Sequence, residues 1–439
     1  MSQTKNPFAS ITRRDLMKGA GAASLLPLTK ACASLGSSGS ADARVVVVGG
    51  GFGGATAAKY LKRGNPNLEV TLVEPQEVYY TCPFSNLYLG GLRSMEEIAH
   101  NYDELKNVYG VRVVHDYADD IDSVAHTVRL RNGGTLNYDK LVLSPGIDMR
   151  WNALEGYDEA AAERMPHSWQ AGAQTRNLRR QLEAMPDGGT FIMVAPDNPY
   201  RCPPGPYERA SLIANYFAQH KPRSKVLIMD AKDSFSKQGL FTAGWNQLYG
   251  DRIEWVSRSN DGRVVRVDAA RGEVETEFGM RHSADVFNVI PPQQAGWIAH
   301  RAGLTDGSGW VPVNPGTFEA TQAQDVFVIG DATIAAPMPK SGFSASSQGK
   351  VAAAAIVAQV AGGTPPPAWF TNTCYSLVGP DYGISVAAIY HTKPTGEVEV
   401  TSSGLSAGDA DATTRLLESR YAVGWYEAMA QDTWGTLYS

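Results

Sequence analysis

The sequence predicts an α/β protein with two dinucleotide-binding-type domains and a C-terminal segment. Two βαβ patterns carry this prediction, one starting at residue 44 and the other at residue 190. Each places a short apolar strand before a helical stretch, as in a buried parallel sheet. A further strand near residue 326 ends in Gly-Asp and precedes an alanine-rich helical stretch. At 439 residues, the chain has the length of two or three domains.

The composition excludes several classes of protein. With 43% apolar and 19% charged residues, the chain is typical of a globular protein and not of a disordered one. The net charge of −6 argues against a nucleic-acid-binding protein. No apolar run reaches the roughly 18 residues that a membrane-spanning helix needs. The 4 cysteines include no C-x-x-C pair and the 8 histidines are scattered, so neither a disulfide scaffold nor a metal site is expected.

The first 43 residues have the layout of a twin-arginine export signal. Arg13 and Arg14 precede a modestly apolar stretch at residues 19–28, and a Ser/Gly/Ala-rich tail follows. Such a signal directs a folded protein to the periplasm; a disordered basic tail is the alternative. Cleavage after Ala43 removes five basic and two acidic residues, which makes the net charge −9 and leaves three cysteines. A cut near Cys32, or lipidation of that cysteine, is the second option. An odd number of cysteines in an oxidising compartment suggests one disulfide and one thiol that something else occupies.

The first βαβ unit carries a dinucleotide-binding fingerprint. The strand at residues 44–48 opens directly into Gly49, Gly51 and Gly54, which have the G-x-G-x-x-G spacing. The first glycine allows a tight turn, the second lets the backbone approach a pyrophosphate, and the third lets the helix pack on the strand. The next strand is followed by Glu74, at the position where a carboxylate binds the ribose hydroxyls. We therefore expect this unit to bind a dinucleotide.

The strand at residues 325–329 indicates which dinucleotide binds, because it leads into Gly330-Asp331. In flavoproteins with two dinucleotide-binding domains, an aspartate at this point contacts the ribityl chain of the flavin, and the following helix points its N-terminus at the cofactor. Residues 141–146 (LVLSPG) are typical of the crossover into the second domain of such proteins. The order of these elements predicts FAD as the ligand and a helix at residues 349–360.

The second βαβ unit lacks the glycine-rich turn of a nucleotide site. Its strand at residues 190–195 and its helix at residues 208–219 flank a loop with three prolines in residues 202–206. Proline has no backbone N–H, so the loop lacks donors that a pyrophosphate needs, and we do not expect NAD(P)H to bind. The loop instead holds Cys202 near a helix N-terminus, which is expected to favour its thiolate.

Five segments of the chain resemble the flavoprotein subunit of flavocytochrome c sulfide dehydrogenase. They are residues 49–60 (GGGFGGATAAKY), 79–82 (YYTC), 201–210 (RCPPGPYERA), 338–342 (MPKSG) and 372–376 (NTCYS). The resemblance implies a glutathione-reductase-like pair of α/β domains. It divides the chain into the signal (1–43), a discontinuous FAD domain (44–155 and 281–365), a second Rossmann-like domain (156–280) and a C-terminal interface domain over the flavin (366–439).

The resemblance also assigns the remaining cysteines. Cys82 matches the residue that carries the flavin through a thioether to its 8α carbon, the alternative being a buried apolar cysteine. Cys202 and Cys374 match a redox-active disulfide over the flavin, the alternative being a structural staple. Beside them, Glu208 is a candidate proton carrier for incoming sulfide, or a carboxylate that complements a helix dipole. Lys340 is a candidate positive charge at the pyrimidine end of the flavin, or a solvated loop lysine.

The implied function is oxidation of sulfide to zero-valent sulfur through this cysteine pair and FAD. Because the chain has no C-x-x-C-H haem motif and no iron–sulfur spacing, a separate c-type cytochrome is the implied electron acceptor. Two alternatives stay open: a sulfide:quinone oxidoreductase, and a non-catalytic flavin-bound redox or assembly protein.

The C-terminal segment is expected to contain buried strands and one helix. Residues 376–390 are apolar and interrupted by glycines, as in strands that cover the flavin. Residues 413–429 place five apolar residues at helical spacing on one amphipathic face, namely Leu416, Leu417, Tyr421, Trp425 and Met429. That face packs on the core, docks a cytochrome or touches a membrane surface, and the scarcity of basic residues argues against the membrane.

Overall fold

The computed structural model describes residues 41–393 and 395–436. Arg13, Arg14 and Cys32 of the predicted signal lie outside these residues. The helices, numbered along the chain, are α1 (Phe52–Gly64), α2 (Ser85–Leu89), α3 (Asp103–Asn107), α4 (Glu159–Arg164), α5 (Ala173–Ala184), α6 (Gly205–His220), α7 (Gln238–Leu248), α8 (Trp297–Arg301), α9 (Gly342–Val360) and α10 (Ala412–Trp434).

The strands are numbered in the same way. They are β1 (Arg44–Val48), β2 (Glu69–Val73), β3 (Tyr79–Tyr80), β4 (Ala99–His100), β5 (Arg112–Val114), β6 (Ala118–Asp122), β7 (Thr127–Leu130), β8 (Thr135–Asn137), β9 (Lys140–Leu143), β10 (Ile147–Met149), β11 (Thr190–Ala195), β12 (Lys225–Asp230), β13 (Ile253–Val256), β14 (Val264–Asp268), β15 (Glu273–Thr276), β16 (Arg281–Ser283), β17 (Val286–Val289), β18 (Gln293–Ala295), β19 (Val311–Pro312), β20 (Val326–Val328), β21 (Thr333–Ile334), β22 (Trp369–Gly379), β23 (Tyr382–Thr392) and β24 (Val398–Leu405).

The first βαβ unit builds a parallel sheet with β1 at its centre. The strand order is β20-β9-β1-β2-β5. Both β1 and β9 are buried over most of their length, as expected for central parallel strands. Helix α1 packs closely on α9, where a Cβ added to Gly349 would lie 2.7 Å from the carbonyl oxygen of Gly53. The glycine-rich turn and the start of α9 therefore meet at the carboxyl end of this sheet.

Helix α9 starts earlier than the sequence predicts, at Gly342 instead of residue 349. The reason is an N-cap: the side chain of Ser341 accepts a hydrogen bond from the backbone N–H of Ser344 at 3.1 Å. The added turns bring Gly342 and Ala345 to the wall of the cavity described below.

The second βαβ unit forms its own parallel sheet, with the order β13-β12-β11-β17. Strand β11 has the predicted bounds, and α6 contains the predicted helix. Strand β17 pairs with β11 although it follows residue 280, where the second domain was expected to end. The second sheet thus continues past the predicted boundary, because the buried strand Val286–Val289 completes it.

The C-terminal segment is a three-stranded antiparallel sheet, β22-β23-β24, followed by α10. The strands and the helix that the sequence predicts here are confirmed. Helix α10 packs against β22, β23 and α1, and α6 packs against β22. This places β22, which carries Cys374, next to the helix that follows Cys202. No helix within the described residues is long and apolar enough to cross a membrane.

The apolar face that the sequence indicates on α10 is buried only in part: Met429 is 4% exposed and Trp425 is partly buried. Tyr421 is 57% exposed and Leu417 is 40% exposed, whereas Arg415 and Tyr426 are buried. The polar partners of the buried residues explain the difference: Arg415 pairs with Glu418 at 2.9 Å, and the hydroxyl of Tyr426 lies 2.9 Å from that of Thr81. Hydrophobic spacing alone therefore predicted the helix but not its orientation.

Candidate active site

A cavity of ≈ 650 Å³ opens at the carboxyl end of the first sheet. Its lining includes Gly49, Gly51, Glu74, Cys82 and Asp331. The sequence predicts each of these as a contact of the cofactor, and the structure brings all of them to one cavity. They come from four separate stretches of chain that meet where the parallel strands end.

The glycine-rich turn has the geometry that its fingerprint predicts. Gly49 adopts a φ of +99°, and a Cβ there would lie 2.2 Å from the carbonyl oxygen of Ser144. A Cβ at Gly54 would lie 1.9 Å from the carbonyl oxygen of Gly49. The turn therefore requires glycine at Gly49 for the conformation and at Gly54 for the packing of α1.

Glu74 is fixed beside this turn by two backbone donors. Its carboxylate accepts hydrogen bonds from the N–H of Gly50 at 2.7 Å and from the N–H of Gln76 at 3.0 Å. Burial raises the pKa of this carboxyl group, although the two donors act in the opposite direction. Carboxylate oxygens accept more than one hydrogen bond, so Glu74 keeps capacity for the hydroxyls of a ribose.

Asp331 offers an unmet acceptor to the same cavity. It lies in the 3-10 turn Gly330–Ala332 directly after β20. Its Oδ1 is buried without a hydrogen-bond partner, and its Oδ2 lies 4.0 Å from Nε of Arg201. Burial raises the pKa of the carboxyl group. Because buried polar atoms are normally paired, this orphaned oxygen fits a ligand hydroxyl, as in the ribityl chain of FAD.

Cys82 lies at the edge of this cavity, between β3 and α2. Its sulfur is 3.6 Å from the carbonyl oxygen of Trp169, and the residue is partly buried. It shares the cavity wall with Tyr79 and Asp331. The position suits attachment of a flavin, and the thioether itself stays a prediction.

Cys202 is held rigidly in the loop before α6. Its φ of +59° is left-handed, its N–H donates to the carbonyl oxygen of Lys340 at 2.8 Å, and its own carbonyl oxygen accepts from the N–H of Gly205 at 2.8 Å. The pKa of its thiol lies well above the ordinary value, mainly because of burial and then because of Cys374 and Glu208. The sequence predicts that the helix N-terminus favours a thiolate here, whereas burial acts in the opposite direction.

Cys374, on β22, is partly buried like Cys202. Burial raises the pKa of its thiol, Lys237 acts in the opposite direction, and Glu208 raises it further. Cys374 raises the pKa of the Cys202 thiol, and Glu208 raises the pKa of both thiols. None of the cysteines in the described residues is in a disulfide, and the bond between Cys202 and Cys374 stays a prediction.

Glu208 joins the helix that follows Cys202 to the strand that carries Cys374. Its Oε1 accepts from the N–H of Leu377 at 2.8 Å, and its Oε2 accepts from Nδ2 of Asn86 at 2.9 Å. Burial raises the pKa of the carboxyl group. A partly buried carboxyl group of raised pKa that affects two thiols is suited to carry a proton.

Lys340 is not a solvated loop lysine. Its ammonium group donates to the carbonyl oxygens of Asp331 at 2.8 Å and Thr333 at 2.7 Å, and it lies 3.7 Å from the ring centroid of Trp310. Burial lowers its pKa to about 8. The lysine therefore holds the turn that carries Asp331, and its effect on the flavin stays a prediction.

The structure adds three residues that the sequence analysis did not select as site residues. Arg201 lines the cavity and donates to the carbonyl oxygen of Trp169. Asn86 links Glu208 to the buried Arg209, because Nε of Arg209 donates to Oδ1 of Asn86 at 2.9 Å. Lys237 reaches the strand of Cys374. Arg201 stands next to Cys202 in the most specific motif, whereas no local pattern marks Asn86 or Lys237.

Three family models match the chain. Residues 43–183 match "Pyridine nucleotide-disulphide oxidoreductase", residues 175–291 match "Sulfide dehydrogenase [flavocytochrome c] flavoprotein chain, central", and residues 366–434 match "Flavocytochrome c sulphide dehydrogenase, flavin-binding". The sulfide dehydrogenase flavoprotein chain of Chlorobaculum thiosulfatiphilum is 67% identical over 43 residues, which are 10% of this chain and 90% of that relative. This chain belongs to the flavocytochrome c sulfide dehydrogenase flavoprotein family. The central family model contains Cys202 and Glu208, and the flavin-binding model contains Cys374.

This flavoprotein is also similar to sulfide:quinone oxidoreductases. The mitochondrial enzyme of Mus musculus is 24% identical over 302 residues, which are 66% of this chain and 65% of the mouse protein, so just under two thirds of that relative is matched. The crystal structure of the sulfide:quinone oxidoreductase of Aquifex aeolicus superposes with a TM-score of 0.69 at 18% identity, covering 89% of this chain and 92% of the other. The structural likeness shows that the two-domain flavoprotein fold is shared.

Proposed function

We propose that this chain oxidises sulfide to zero-valent sulfur, with FAD as cofactor and a c-type cytochrome as electron acceptor. One observation carries the proposal: Cys202 and Cys374, from two separately matched segments, are both partly buried, and Glu208, which affects the pKa of both thiols, joins the helix after Cys202 to the strand of Cys374. The residue before Cys202, Arg201, lines the cavity that fits a flavin. A cysteine pair, an acid of raised pKa and an adjoining cofactor cavity are the parts that a thiol–disulfide reaction coupled to a flavin needs.

The proposed reaction begins at the Cys202–Cys374 disulfide. Hydrosulfide attacks one sulfur, the S–S bond breaks, and the products are a persulfide on one cysteine and a thiolate on the other. A second hydrosulfide then attacks the terminal sulfur of the persulfide. A hydropersulfide leaves with the zero-valent sulfur, and both cysteines are reduced. The two electrons of the first sulfide have thereby reached the cysteine pair.

The residues of the first cavity would hold the cofactor. The turn at Gly49 and Gly51 would approach the pyrophosphate, Glu74 a ribose, and Asp331 the ribityl chain, while Cys82 would form the covalent bond. When bound, FAD supplies a two-electron acceptor for the cysteine pair and one-electron steps for a haem partner.

Glu208 is the proposed proton carrier. Asn86 and Leu377 fix its carboxylate beside the cysteine pair, and burial raises its pKa. A carboxyl group whose pKa is raised toward neutrality both accepts and returns a proton at a useful rate. It is therefore suited to take the proton that H₂S must lose before the sulfur attacks.

The acceptor and the location rest on the sequence. The twin-arginine pattern supports export to the periplasm, and the missing haem motif supports a separate c-type cytochrome. A quinone acceptor is the second candidate, because the matched relatives from Mus musculus and Aquifex aeolicus are named sulfide:quinone oxidoreductases.

The test is anaerobic addition of sulfide to the purified, flavin-loaded protein. We expect the flavin absorbance to bleach in the wild type and to stay unchanged in Cys202→Ser with the flavin still bound. Bleaching in this variant would contradict the disulfide mechanism. If the flavin of the wild type does not bleach, the hypothesis of a non-catalytic flavin-bound protein is favoured instead. A soluble c-type cytochrome or a short-chain quinone is then added to the reduced protein. The compound that restores the flavin absorbance faster is identified as the acceptor.

A further inference from the structure

A buried lysine, Lys237, contacts the strand of Cys374 and has no role in the sulfur chemistry proposed above. Lys237 directly precedes α7 and is 7% exposed. Its ammonium group donates to Oγ of Ser376 at 2.8 Å and to the carbonyl oxygen of Cys374 at 3.3 Å. A buried ammonium group is unfavourable without nearby acceptors or negative charge. Both hydrogen-bond partners lie on β22: one is the backbone of Cys374 and the other is the side chain of Ser376, two residues further along the strand.

Ser376 connects this lysine to the sulfur. Residues two apart in a strand point to the same face, so Ser376 and Cys374 are on one side of β22. The hydroxyl of Ser376 is buried and lowers the pKa of the Cys374 thiol, whose own hydrogen bond goes to the carbonyl oxygen of Tyr375 at 3.6 Å. Lys237 orients that hydroxyl and also acts directly through its charge.

The charges around the two thiols are not equivalent. Cys374 is faced by Lys237, which lowers the pKa of its thiol, and by Glu208, which raises it. Cys202 is faced by three groups that raise the pKa of its thiol (Cys374, Glu208 and Cys82), and Lys237 has the smallest effect of the four. The guanidinium groups of Arg201 and Arg209 also face Cys202. Lys237 therefore acts mainly on Cys374.

We propose that Lys237 is a positioning residue that, together with Ser376, makes Cys374 the first of the two reduced cysteines to form a thiolate. This role rests on the proposed function, in which the disulfide must re-form after each turnover. Loss of the electron pair from a dithiol starts from a thiolate, because the thiolate and not the thiol is the reactive form. Lys237 and Ser376 would supply that thiolate on the strand β22, in a pocket whose burial otherwise opposes it.

The proposal is tested by the pH dependence of alkylation in the reduced holoprotein. The protein is reduced anaerobically, pulsed with iodoacetamide between pH 6 and 10, and digested, so that mass spectrometry gives the labelled fraction of Cys202 and Cys374 separately. In the wild type we expect Cys374 to be labelled at lower pH than Cys202. In Lys237→Met we expect the midpoint for Cys374 to rise by about one pH unit and that for Cys202 to move less. Lys237→Arg keeps the charge and should restore most of the wild-type profile.

Lys221→Met is the matched control. Lys221 is also a buried lysine of the second domain, and its ammonium group donates to the carbonyl oxygens of Glu183 and Met185, away from both cysteines. We expect no change in either midpoint. An unchanged Cys374 midpoint in Lys237→Met, or an equal shift in Lys221→Met, overturns the proposal. Sulfide bleaching of the wild type is scored independently, so the failure of this role and the failure of sulfide oxidation are distinguished. Flavin content and circular dichroism identify any variant that does not fold. If Lys237→Met does not fold, Ser376→Ala replaces it in the test, and we expect the alkylation midpoint of Cys374 to rise in that variant.

Discussion

The backbone N–H of Leu377 donates to the Glu208 carboxylate at 2.8 Å, although the two residues are 169 positions apart in the sequence. Asn86 donates to the other oxygen of the same carboxylate at 2.9 Å. One acidic side chain thus ties α6 to β22 and to α2. Since Cys202 precedes α6 and Cys374 lies on β22, this carboxylate also keeps the two cysteine-bearing segments together.

Replacing Glu208 by glutamine tests its role as a proton carrier. Glutamine keeps an oxygen for the N–H of Leu377 but cannot take up a proton at neutral pH. We expect Glu208→Gln to bind flavin normally and to slow the reduction of the flavin by sulfide by roughly 100-fold. Stopped-flow absorbance between pH 6 and 9 measures this rate. The wild-type profile should contain an ionisation that the variant lacks, and a variant with the wild-type rate and profile would show that the carboxylate is structural only.

The same substitution changes how stability depends on pH. The folded pKa of Glu208 is raised above its ordinary value of 4.5, so the folded protein holds this proton more tightly than the unfolded chain. The stabilisation is fully present below the unfolded pKa and is lost as the pH rises through the folded pKa. We therefore expect the free energy of unfolding to fall less in Glu208→Gln than in the wild type over this window. Urea unfolding at a series of pH values above 4 measures the difference, and parallel curves would contradict the raised pKa.

The sequence predicted those parts of the site that depend on local geometry. The turn at Gly49, the acid at Glu74 and the turn at Asp331 follow directly from strand ends, and all line one cavity. The contacts of Asn86 and Lys237 could not be predicted, because they join segments that only the tertiary fold brings together. The effect of burial on Cys202 could not be predicted for the same reason: a helix N-terminus is visible in a sequence, whereas the burial that raises the pKa of this thiol is not.

Domain limits and helix faces depended on tertiary contacts as well. Strand β17 is a short apolar run that fits either sheet by its sequence, and only its pairing with β11 assigns it to the second. In α10, the spacing of Leu417 and Tyr421 indicated an apolar face, but the partners available to Arg415 and Tyr426 determine which face is buried.

The orphaned oxygen of Asp331 predicts a loss of flavin affinity on substitution. The measurement is made in a Cys82→Ser background, so that a covalent bond cannot mask weaker binding. A hydrogen bond to a charged group contributes about 1.5–3 kcal/mol, so Asp331→Ala should weaken FAD binding by roughly 10- to 100-fold. Fluorescence titration of the flavin-free protein with FAD gives the Kd. Asp325→Asn, in which the aspartate at the other end of β20 loses its pairing with Lys140, is the control and should leave the Kd unchanged.

Cys82 predicts the fate of the flavin on denaturation. If its sulfur carries the flavin, acid precipitation of the wild type should leave the yellow colour in the pellet, and Cys82→Ser should release it to the supernatant. Cys202→Ser is the control, because this cysteine lies outside the wall formed by Tyr79, Cys82 and Asp331 and should retain the colour in the pellet. Free flavin from the wild type would mean that the cofactor is held without a covalent bond.

Trp434, the last residue of α10, predicts a link between the C-terminal segment and cofactor binding. Its Nε1 donates to the carbonyl oxygen of Gly50 at 3.1 Å, and its ring lies 4.8 Å from that of Phe52 and 5.2 Å from that of Tyr79. The residue is 3% exposed. The indole therefore packs against the glycine-rich turn. A change in α10 is expected to alter this turn, which is the predicted contact of the pyrophosphate.

We expect Trp434→Ala to lower the free energy of unfolding by about 3–5 kcal/mol, because it leaves a cavity among aromatic rings. Trp434→Phe keeps most of the packing and loses only the bond to Gly50, which is worth about 1 kcal/mol. Both variants should also bind less flavin, and the alanine variant should bind the least. Denaturant unfolding and the ratio of flavin to protein absorbance measure the two effects. Trp369→Ala is the matched control, since this tryptophan is 56% exposed and its ring stacks on His391 of β23. Normal flavin content in a destabilised Trp434→Ala would separate the helix from the cofactor site and contradict the link.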